Sequence, residues 1–372
     1  MLKVGITGQA GFIGTHLANY LRLHKDKIIL IPFSDSYFNE SDRLVEWIEQ
    51  CDTIVHLAAV NRHPDQEILF NTNILLVEKL IEALDKAGNR PHVIFSSSSQ
   101  ESRDNDYGKS KKEGRKRLIA WALRNNAFFT GLIVPNVFGP FGLPFYNSVI
   151  ATFCHQLTHS ENPVIDVDGT LKLIYVTELA EVIMQLILLR RSDEEYVVMP
   201  TAEKKVSEIL HLLSHFKTEY FDKGVMLSFK DLYELNLFNT FRSYIDYQNK
   251  FPVYFDKKTD NRGFFVELVR TLSGSQVSFS TTSPGIVRGN HYHTRKIERF
   301  AVISGSALIQ LRRIGTTEVL DFHLSGERPS YVDIPVWYTH NIKNTGSGEL
   351  MTIFWINEFY NEEDPDTYFE LV

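Results

Sequence analysis

The sequence predicts an α/β doubly wound parallel sheet followed by a separate all-β domain, and three observations lead there. Up to Pro135 short apolar stretches alternate with longer amphipathic ones, the pattern of parallel strands joined by crossover helices. The glycine-rich run Thr7-Gly8-Gln9-Ala10-Gly11-Phe12-Ile13-Gly14 sits directly between the first of those strands and the first helix. From Phe251 onward the helical period stops, and short strands separated by turn residues run to Val372.

The opening strand, Leu2 to Ile6, leads through the glycines into a helix marked by Phe12, Ile13, Leu17, Ala18 and Leu21. Glycines let the backbone turn sharply, and the exposed N–H groups of a helix start attract phosphate, so this loop is read as a pyrophosphate seat. Further strands are expected at Lys27 to Phe33, Asp52 to Ala58, Pro91 to Ser97 and Phe128 to Val134. Ligands in such sheets sit at the carboxyl ends of the strands. The glycine loop, His56-Leu57-Ala58-Ala59 and Ser96-Ser97-Ser98-Ser99 would fall along that edge.

Tyr107 and Lys111 follow, at the start of a helical segment running through Leu118 and Trp121. Four residues apart on a helix, they share a face. A phenol near a pKa of ~10 is a poor acid at neutral pH, and a nearby ammonium favours its phenolate. Hydroxyls at the serine strand end would then hold a carbonyl while Tyr107 supplies a proton and a nicotinamide a hydride. The end of the second strand, Phe33-Ser34-Asp35-Ser36, offers both an acid and hydroxyls and leaves NAD against NADP open.

Beyond Pro140 helices are expected at Ser148 to Leu157, Val176 to Leu189 and Val206 to Phe216. Asp222 to Asp231 and the run through Tyr244, Asp246, Tyr247 and Asn249 read as a connector, which puts the domains at 1–245 and 251–372. In the second domain His291 and His293 share one strand face, and Glu298 and His340 lie at spacings that let them converge. Three imidazoles and a carboxylate suit Zn²⁺ best, and Fe, Mn or Ni fit the same ligands.

Lys and Arg number 39 against 46 Asp and Glu, a net charge of −7 with no basic stripe, which argues against nucleic acid or an anionic membrane as partner. The two cysteines, Cys51 and Cys154, form no C-x-x-C pattern and read as buried free thiols of a reducing compartment. No apolar run has the length of a membrane span, and the first residues enter the opening strand without a signal-peptide pattern, so a cytoplasmic protein is expected.

The T-G-x-x-G-x-x-G loop, the H-L-A-A strand end, Asn71, the serine run, Y-x-x-x-K and Pro135-Asn136-Val137-Phe138-Gly139-Pro140 together resemble the extended short-chain dehydrogenase/reductases, mostly enzymes of nucleotide sugars. The resemblance implies a Rossmann-type fold. It implies catalysis by Ser98 (with Ser97 or Ser99 as alternatives), Tyr107 and Lys111, the lysine also binding the nicotinamide ribose. It further implies cofactor contacts from Gly8, Gln9, Gly11, Phe12, Ile13, Gly14, Ser34, Leu57, Ala58, Ala59, Asn71 and Pro135, and sugar-side contacts from Asn136 and Asn147. Two departures stand out: Ile133 where such reductases often carry arginine, and Glu178 where aspartate is usual.

Gly285, His291, His293, Glu298 and Gly305 match the first motif of the cupin (jelly-roll) fold, while the second is looser, with Trp337 in place of a usual glycine. Asp260-Asn261-Arg262-Gly263-Phe264-Phe265-Val266-Glu267 resembles the cupin epimerases of deoxysugar biosynthesis, in which Arg262 and Glu267 would help hold the sugar nucleotide. With the Tyr146-Asn147-Ser148-Val149-Ile150-Ala151-Thr152-Phe153 run and Pro365-Asp366-Thr367-Tyr368-Phe369 added, nearly the whole chain is similar to the bifunctional capsular-polysaccharide enzymes of the CapF and WbjC kind. That similarity implies a UDP-linked 4-keto-6-deoxy amino sugar as substrate, C3 epimerisation followed by NADPH-dependent C4 reduction, and a homodimer. Lys296, His323 and Tyr338 are candidates for moving the C3 proton. A reductase with a metal-stapled dimerisation module, or a non-enzymatic cofactor sensor, would carry many of the same motifs.

Overall fold

The computed structural model describes residues 1–255, 258–260, 263–265, 269, 275–358 and 361–372. Two compact units emerge, one of Met1–Thr152 with Ile165–Ser207, the other of Phe153–Val164 with Glu208–Val372.

The first unit contains β1 (Leu2–Thr7), α1 (Phe12–Arg22), β2 (Ile28–Ile31), α2 (Ser41–Glu49), β3 (Thr53–His56), α3 (Gln66–Lys86), β4 (His92–Ser98), α4 (Asp106–Asn125) and β5 (Phe129–Val134). After β6 (Asn136–Phe138), α5 (Val149–Thr158) runs from this unit into the other, and β7 (Thr170–Tyr175), α6 (Val176–Leu189), β8 (Asp193–Val197) and β9 (Ala202–Lys205) complete the first unit. Six strands form a parallel sheet in the order β2-β1-β3-β4-β5-β8. Its strands alternate between two cores, as a period of two requires. Val4, Ile6, Val55 and Ile94 pack with α1 and α6, while Ile54, Val93 and Phe95 pack with α2, α3 and α4. The three-layer arrangement leaves the carboxyl strand ends as the place for a ligand. Cys51 and Cys154 are free and buried.

The second unit holds α7 (Val206–Phe216) from Glu208 on, α8 (Leu232–Arg242), α9 (Tyr247–Lys250), β10 (Val253–Tyr254) and a small ladder of β11 (Lys258–Asp260) with β12 (Gly263–Phe265). Then follow β13 (Gln276–Thr282), β14 (Val287–Tyr292), β15 (Glu298–Ser304), β16 (Ser306–Arg313), β17 (Val319–Ser325), β18 (Ser330–Ile334), β19 (Tyr338–Asn344), β20 (Leu350–Ile356) and β21 (Tyr368–Phe369). They make two five-stranded antiparallel sheets, β10-β18-β15-β20-β13 and β17-β16-β19-β14-β21.

The stretches read as a connector are mostly turns and coil, but the helices that flank them are held in place. Tyr220 donates to Asp333 Oδ2 at 2.5 Å, Arg299 is bidentate to the same carboxylate at 2.7 and 3.0 Å, and Arg242 donates to the Ile334 carbonyl at 3.0 Å. The buried polar atoms of those flanking helices find partners on β18. The compact units divide at Thr152/Phe153, Val164/Ile165 and Ser207/Glu208. Among the described residues no helix is long and apolar enough to cross a membrane.

Candidate active site and metal centre

Gly8 ends β1 with φ at +66°, and a Cβ there would stand 2.8 Å from the backbone of Ala58. Only glycine allows both that turn and the approach of the two loops. The Gly11 N–H closes the turn onto the Gly8 carbonyl at 3.0 Å. α1 begins with no side-chain cap and no acid in its first turn, unlike α3 and α4, which Asp65 and Asn105 cap. Its first N–H groups are thus left for an anionic ligand.

The H-L-A-A strand end supports that loop from behind. His56 is 1% exposed and bonds Thr7 Oγ1 at 2.7 Å, while the Ala58 N–H donates to the same hydroxyl at 3.3 Å. Burial, helped by the Lys111 charge, pulls His56 down to about 3, so it is a neutral core histidine. Leu57 and Ala59 are half-buried beside Ala58, and Gln9, Phe12 and Ile13 are half-buried at the loop, where Gly14 is buried. Ser34 is exposed and caps a short turn by accepting from the Ser36 N–H.

Asn71 lies exposed on α3. Two residues on, Asn73 is buried, accepts from the Val60 N–H at 2.7 Å, and donates to the Val60 carbonyl and to Ser110 Oγ, both at 3.0 Å. The bridge from the cofactor-edge loop to the Tyr107 helix thus comes from Asn73. The helical period held the signal, since only Asn73 falls in line with Leu69 and Val77 on the buried face.

The serines separate by depth. Ser97 is 2% exposed with its hydroxyl bonded to Glu101, which Arg115 holds bidentately at 2.9 and 2.7 Å. Ser98 is half-buried and caps the turn Ser99–Ser102, and Ser99 is exposed. That turn lies against α4 so closely that a Cβ on Gly108 would stand 2.1 Å from the Gln100 carbonyl oxygen. Tyr107 is partly buried, and burial, with Tyr146 adding, pushes its phenol up, so the proton stays on. Lys111 Nζ donates to the Ser96 carbonyl at 2.8 Å and lies 5.9 Å from the centre of the Tyr107 ring. Burial pulls this lysine down to about 8, against the opposing charge of Glu101. The lysine stands beside the phenol, but burial decides the phenol's state.

Pro135 is buried after β5, Asn136 is exposed and donates to the Lys172 carbonyl at 3.2 Å, and Asn147 is exposed. Ser148 is an ordinary cap, accepting from the Ala151 N–H at 3.3 Å. Glu178, the departure from aspartate, accepts from the Tyr175 N–H at 3.1 Å and from Thr201 Oγ1 at 2.6 Å, so it fixes the start of α6. Arg262 and Glu267 lie outside the described residues.

In the second unit the four expected ligands converge. One donor atom from each of His291, His293, Glu298 and His340 lies within 4.8 Å of every other. Glu298 Oε2 stands 3.1 Å from His293 Nε2 and 3.2 Å from His340 Nε2. Ligand atoms on a zinc tetrahedron with bonds of about 2.1 Å stand about 3.4 Å apart, so the cluster has the right size. His340 Nε2 is buried without a hydrogen bond, an orphan that a metal would satisfy. His293 Nδ1 is taken by the Asp366 carbonyl at 2.5 Å, leaving Nε2 for the ion. Burial would raise Glu298, but the His293 hydrogen bond and the His293 and His340 imidazoles beside it hold it well below the carboxylate range. Burial, then the charges of His340 and His293, pulls His291 down to about 4, the neutral form a metal requires. The ligands span both sheets, and a β-bulge between Gly289 and His291 re-aims β14.

Of the residues considered for proton transfer, Lys296 Nζ donates to the Pro365 carbonyl, and His323 is exposed between buried Phe322 and Leu324. Tyr338 shares its strand face with His340. Trp337, standing where glycine is usual, adopts a φ of +62°, and Gly285 and Gly305 are also left-handed at +75° and +84°.

Residues 4–198, more than half of the chain, match the NAD dependent epimerase/dehydratase family. The chain belongs to that family. As a member it is an NAD(P)-dependent enzyme whose first unit is an NAD(P)H-binding Rossmann domain, as expected from the glycine loop. Residues 258–368 match the polysaccharide biosynthesis C-terminal domain, so the family's dinucleotide unit is joined here to a distinct β-rich one. A Pseudomonas aeruginosa protein named UDP-2-acetamido-2,6-beta-L-arabino-hexul-4-ose reductase is 31% identical over 369 residues, 99% of this chain and 98% of that protein. The crystal structure of the capsular polysaccharide assembling protein CapF from Staphylococcus aureus is similar over 100% of both chains, at 31% identity and a TM-score of 0.62. The spore coat polysaccharide biosynthesis protein SpsL of Bacillus subtilis is 29% identical over 122 residues, 30% of this chain and 80% of that protein. Within the family the protein is therefore of the two-part CapF/WbjC type.

Proposed function

We propose that the protein is a bifunctional nucleotide-sugar enzyme of capsule or surface polysaccharide biosynthesis. The β-rich unit, read as a cupin, inverts C3 of UDP-2-acetamido-2,6-dideoxy-4-hexulose. The first unit then reduces C4 to give UDP-2-acetamido-2,6-dideoxy-L-talose, on the way to UDP-N-acetyl-L-fucosamine. The observation that carries the reading is that one chain holds both a Ser98–Tyr107–Lys111 reducing constellation and a buried cluster of three imidazoles and a carboxylate. The name of the Pseudomonas aeruginosa relative supports the sugar class, and the left-handed turns at Gly285, Gly305 and Trp337 support the cupin.

Chemistry imposes the order. The C3 hydrogen is acidic only while C4 is a ketone, because the resulting carbanion is delocalised as an enolate. A divalent metal, zinc for this donor set, would stabilise that negative oxygen, and NADPH supplies the hydride of the second step. In the first unit Ser98 and Tyr107 hold the C4 oxygen, and Tyr107, kept protonated by burial, delivers the proton. Ser97 is excluded from that role because its hydroxyl serves Glu101. Lys111 binds the nicotinamide ribose, the glycine loop takes the pyrophosphate, and Asn136, Asn147, Arg262 and Glu267 serve the sugar nucleotide.

The test is NMR of the product formed from the 4-keto sugar nucleotide with NADPH in deuterated water. Deuterium at an inverted C3 and a new hydroxyl at C4 are expected, and a product reduced at C4 with C3 unexchanged overturns the epimerase half. One observation favours a reductase with a merely structural metal: four protein ligands suffice to close a zinc site. Metal-loaded Tyr107→Phe that exchanges no deuterium at C3 would establish that reading instead.

A further inference from the structure

The segment carrying His291, His293 and Glu298 is held by the end of the chain. Asp366 is 2% exposed and sits at a φ of +40°. Its carboxylate accepts three successive backbone N–H groups, from Thr294 at 3.1 Å, Arg295 at 2.9 Å and Lys296 at 3.0 Å, and the Thr294 hydroxyl at 2.7 Å. Its carbonyl takes His293 Nδ1 at 2.5 Å. On either side, Arg295 pairs with Asp364 at 2.7 Å, β21 pairs Phe369 with His291 and Tyr368 with Tyr292, and the Glu370 N–H donates to the Asn290 carbonyl at 2.9 Å.

Three N–H groups turned toward one point would cost desolvation energy if left unmet, and a buried carboxylate needs such donors to remain charged. Each therefore fixes the other. The turn of residues 294–296 sets the separation between His293 and Glu298. The Asp366 carbonyl holds the His293 proton on Nδ1, so Nε2 is the atom offered to a metal.

We propose that Asp366 is a positioning residue of the metal centre, and that the C-terminal strap Asp364–Leu371 preorganises His291 and His293 for a divalent cation. This rests on the reading of the four-residue cluster as a metal site. It makes the last residues of the chain part of that site although none of them is a ligand.

Full-length protein would be stripped with chelator, and its zinc affinity measured by competition with a chromophoric chelator. Asp366→Gly keeps the left-handed backbone and removes the carboxylate, and Asp366→Asn keeps one acceptor. Asp366→Gly should weaken zinc binding by about 10- to 100-fold, the usual effect of losing a partner that orients a ligand, with Asp366→Asn in between. The rise in Tm produced by saturating zinc should shrink in the same order. A purely structural role predicts a lower Tm without metal but wild-type zinc affinity and an undiminished rise, and that result overturns the proposal. Should Asp366→Gly fail to fold, wild-type zinc affinity in folded Asp366→Asn overturns it equally. A wild-type protein that binds no zinc overturns the metal reading and this inference together, whereas tight wild-type binding matched by the variants overturns this inference alone.

Discussion

In the first unit Lys111, 4% exposed, faces a backbone carbonyl and two aromatic rings; in the second Glu298, 6% exposed, faces imidazoles on two sides. Burial drives the lysine toward neutrality near pH 8, because its oxygen partner is uncharged and Glu101 acts only from a distance. The carboxylate is driven the other way, since His293 hydrogen-bonds it and both imidazoles favour its charged form. Burial thus acts in two ways: a weakly compensated charge is pulled toward its neutral form, and a well-compensated one keeps its charge. Ser97, Glu101 and Arg115 brace the first site much as Asp366 braces the second.

The largest effect is expected at Tyr107. Tyr107→Phe should lower the rate of NADPH oxidation by about 10²- to 10⁴-fold, the range for losing a general acid, while zinc content stays at the wild-type value. Substituting the well-compensated charge should do the reverse. Glu298→Gln is expected to abolish stoichiometric zinc after dialysis while NADPH binding, followed by fluorescence titration, is retained. Loss of NADPH binding in that variant would show that the sites are not separable.

Next in size is the buried ion pair that secures the helices of the second unit. Asp333→Ala strands Arg299 and should destabilise that unit by about 3–5 kcal/mol, read from its denaturant transition. A smaller effect sharpens the contrast itself. Lys111 faces Glu101 from the serine turn, His56 from β3, Tyr107 from its own helix and the Ser96 carbonyl. His56 is neutral above about pH 3 and contributes no charge near neutrality. The ammonium is present below about pH 8 and lost above it, so the reductase rate should fall through that region. Glu101→Gln removes a charge that holds the ammonium on, and the alkaline limb should move to lower pH. The smallest effect expected is at Glu178: Thr201→Val removes one hydrogen bond from its carboxylate and should lower Tm by an amount equivalent to about 1 kcal/mol.

Much of this was legible in the chain itself. The strand, glycine turn and helix at Leu2–Arg22 follow from local periodicity and from φ freedom at Gly8, and α6 and α7 run over the residues their periodicity marked. The four metal-type ligands were also readable, because strand alternation and hairpin spacing are short-range rules. Tertiary structure alone decided the rest. That Asn73 and not Asn71 bridges to Ser110, and that Arg242 and Tyr220 are buried against β15 and β18, depend on partners tens to more than a hundred residues away. Asp366 is the clearest case. In sequence it is one more acidic residue near the end of the chain, and only folding brings its carboxylate to three N–H groups more than 65 positions earlier. Local pattern reports which face a side chain takes; which polar atom it meets there is settled by desolvation, once the packed chain leaves each buried group only the partners within reach.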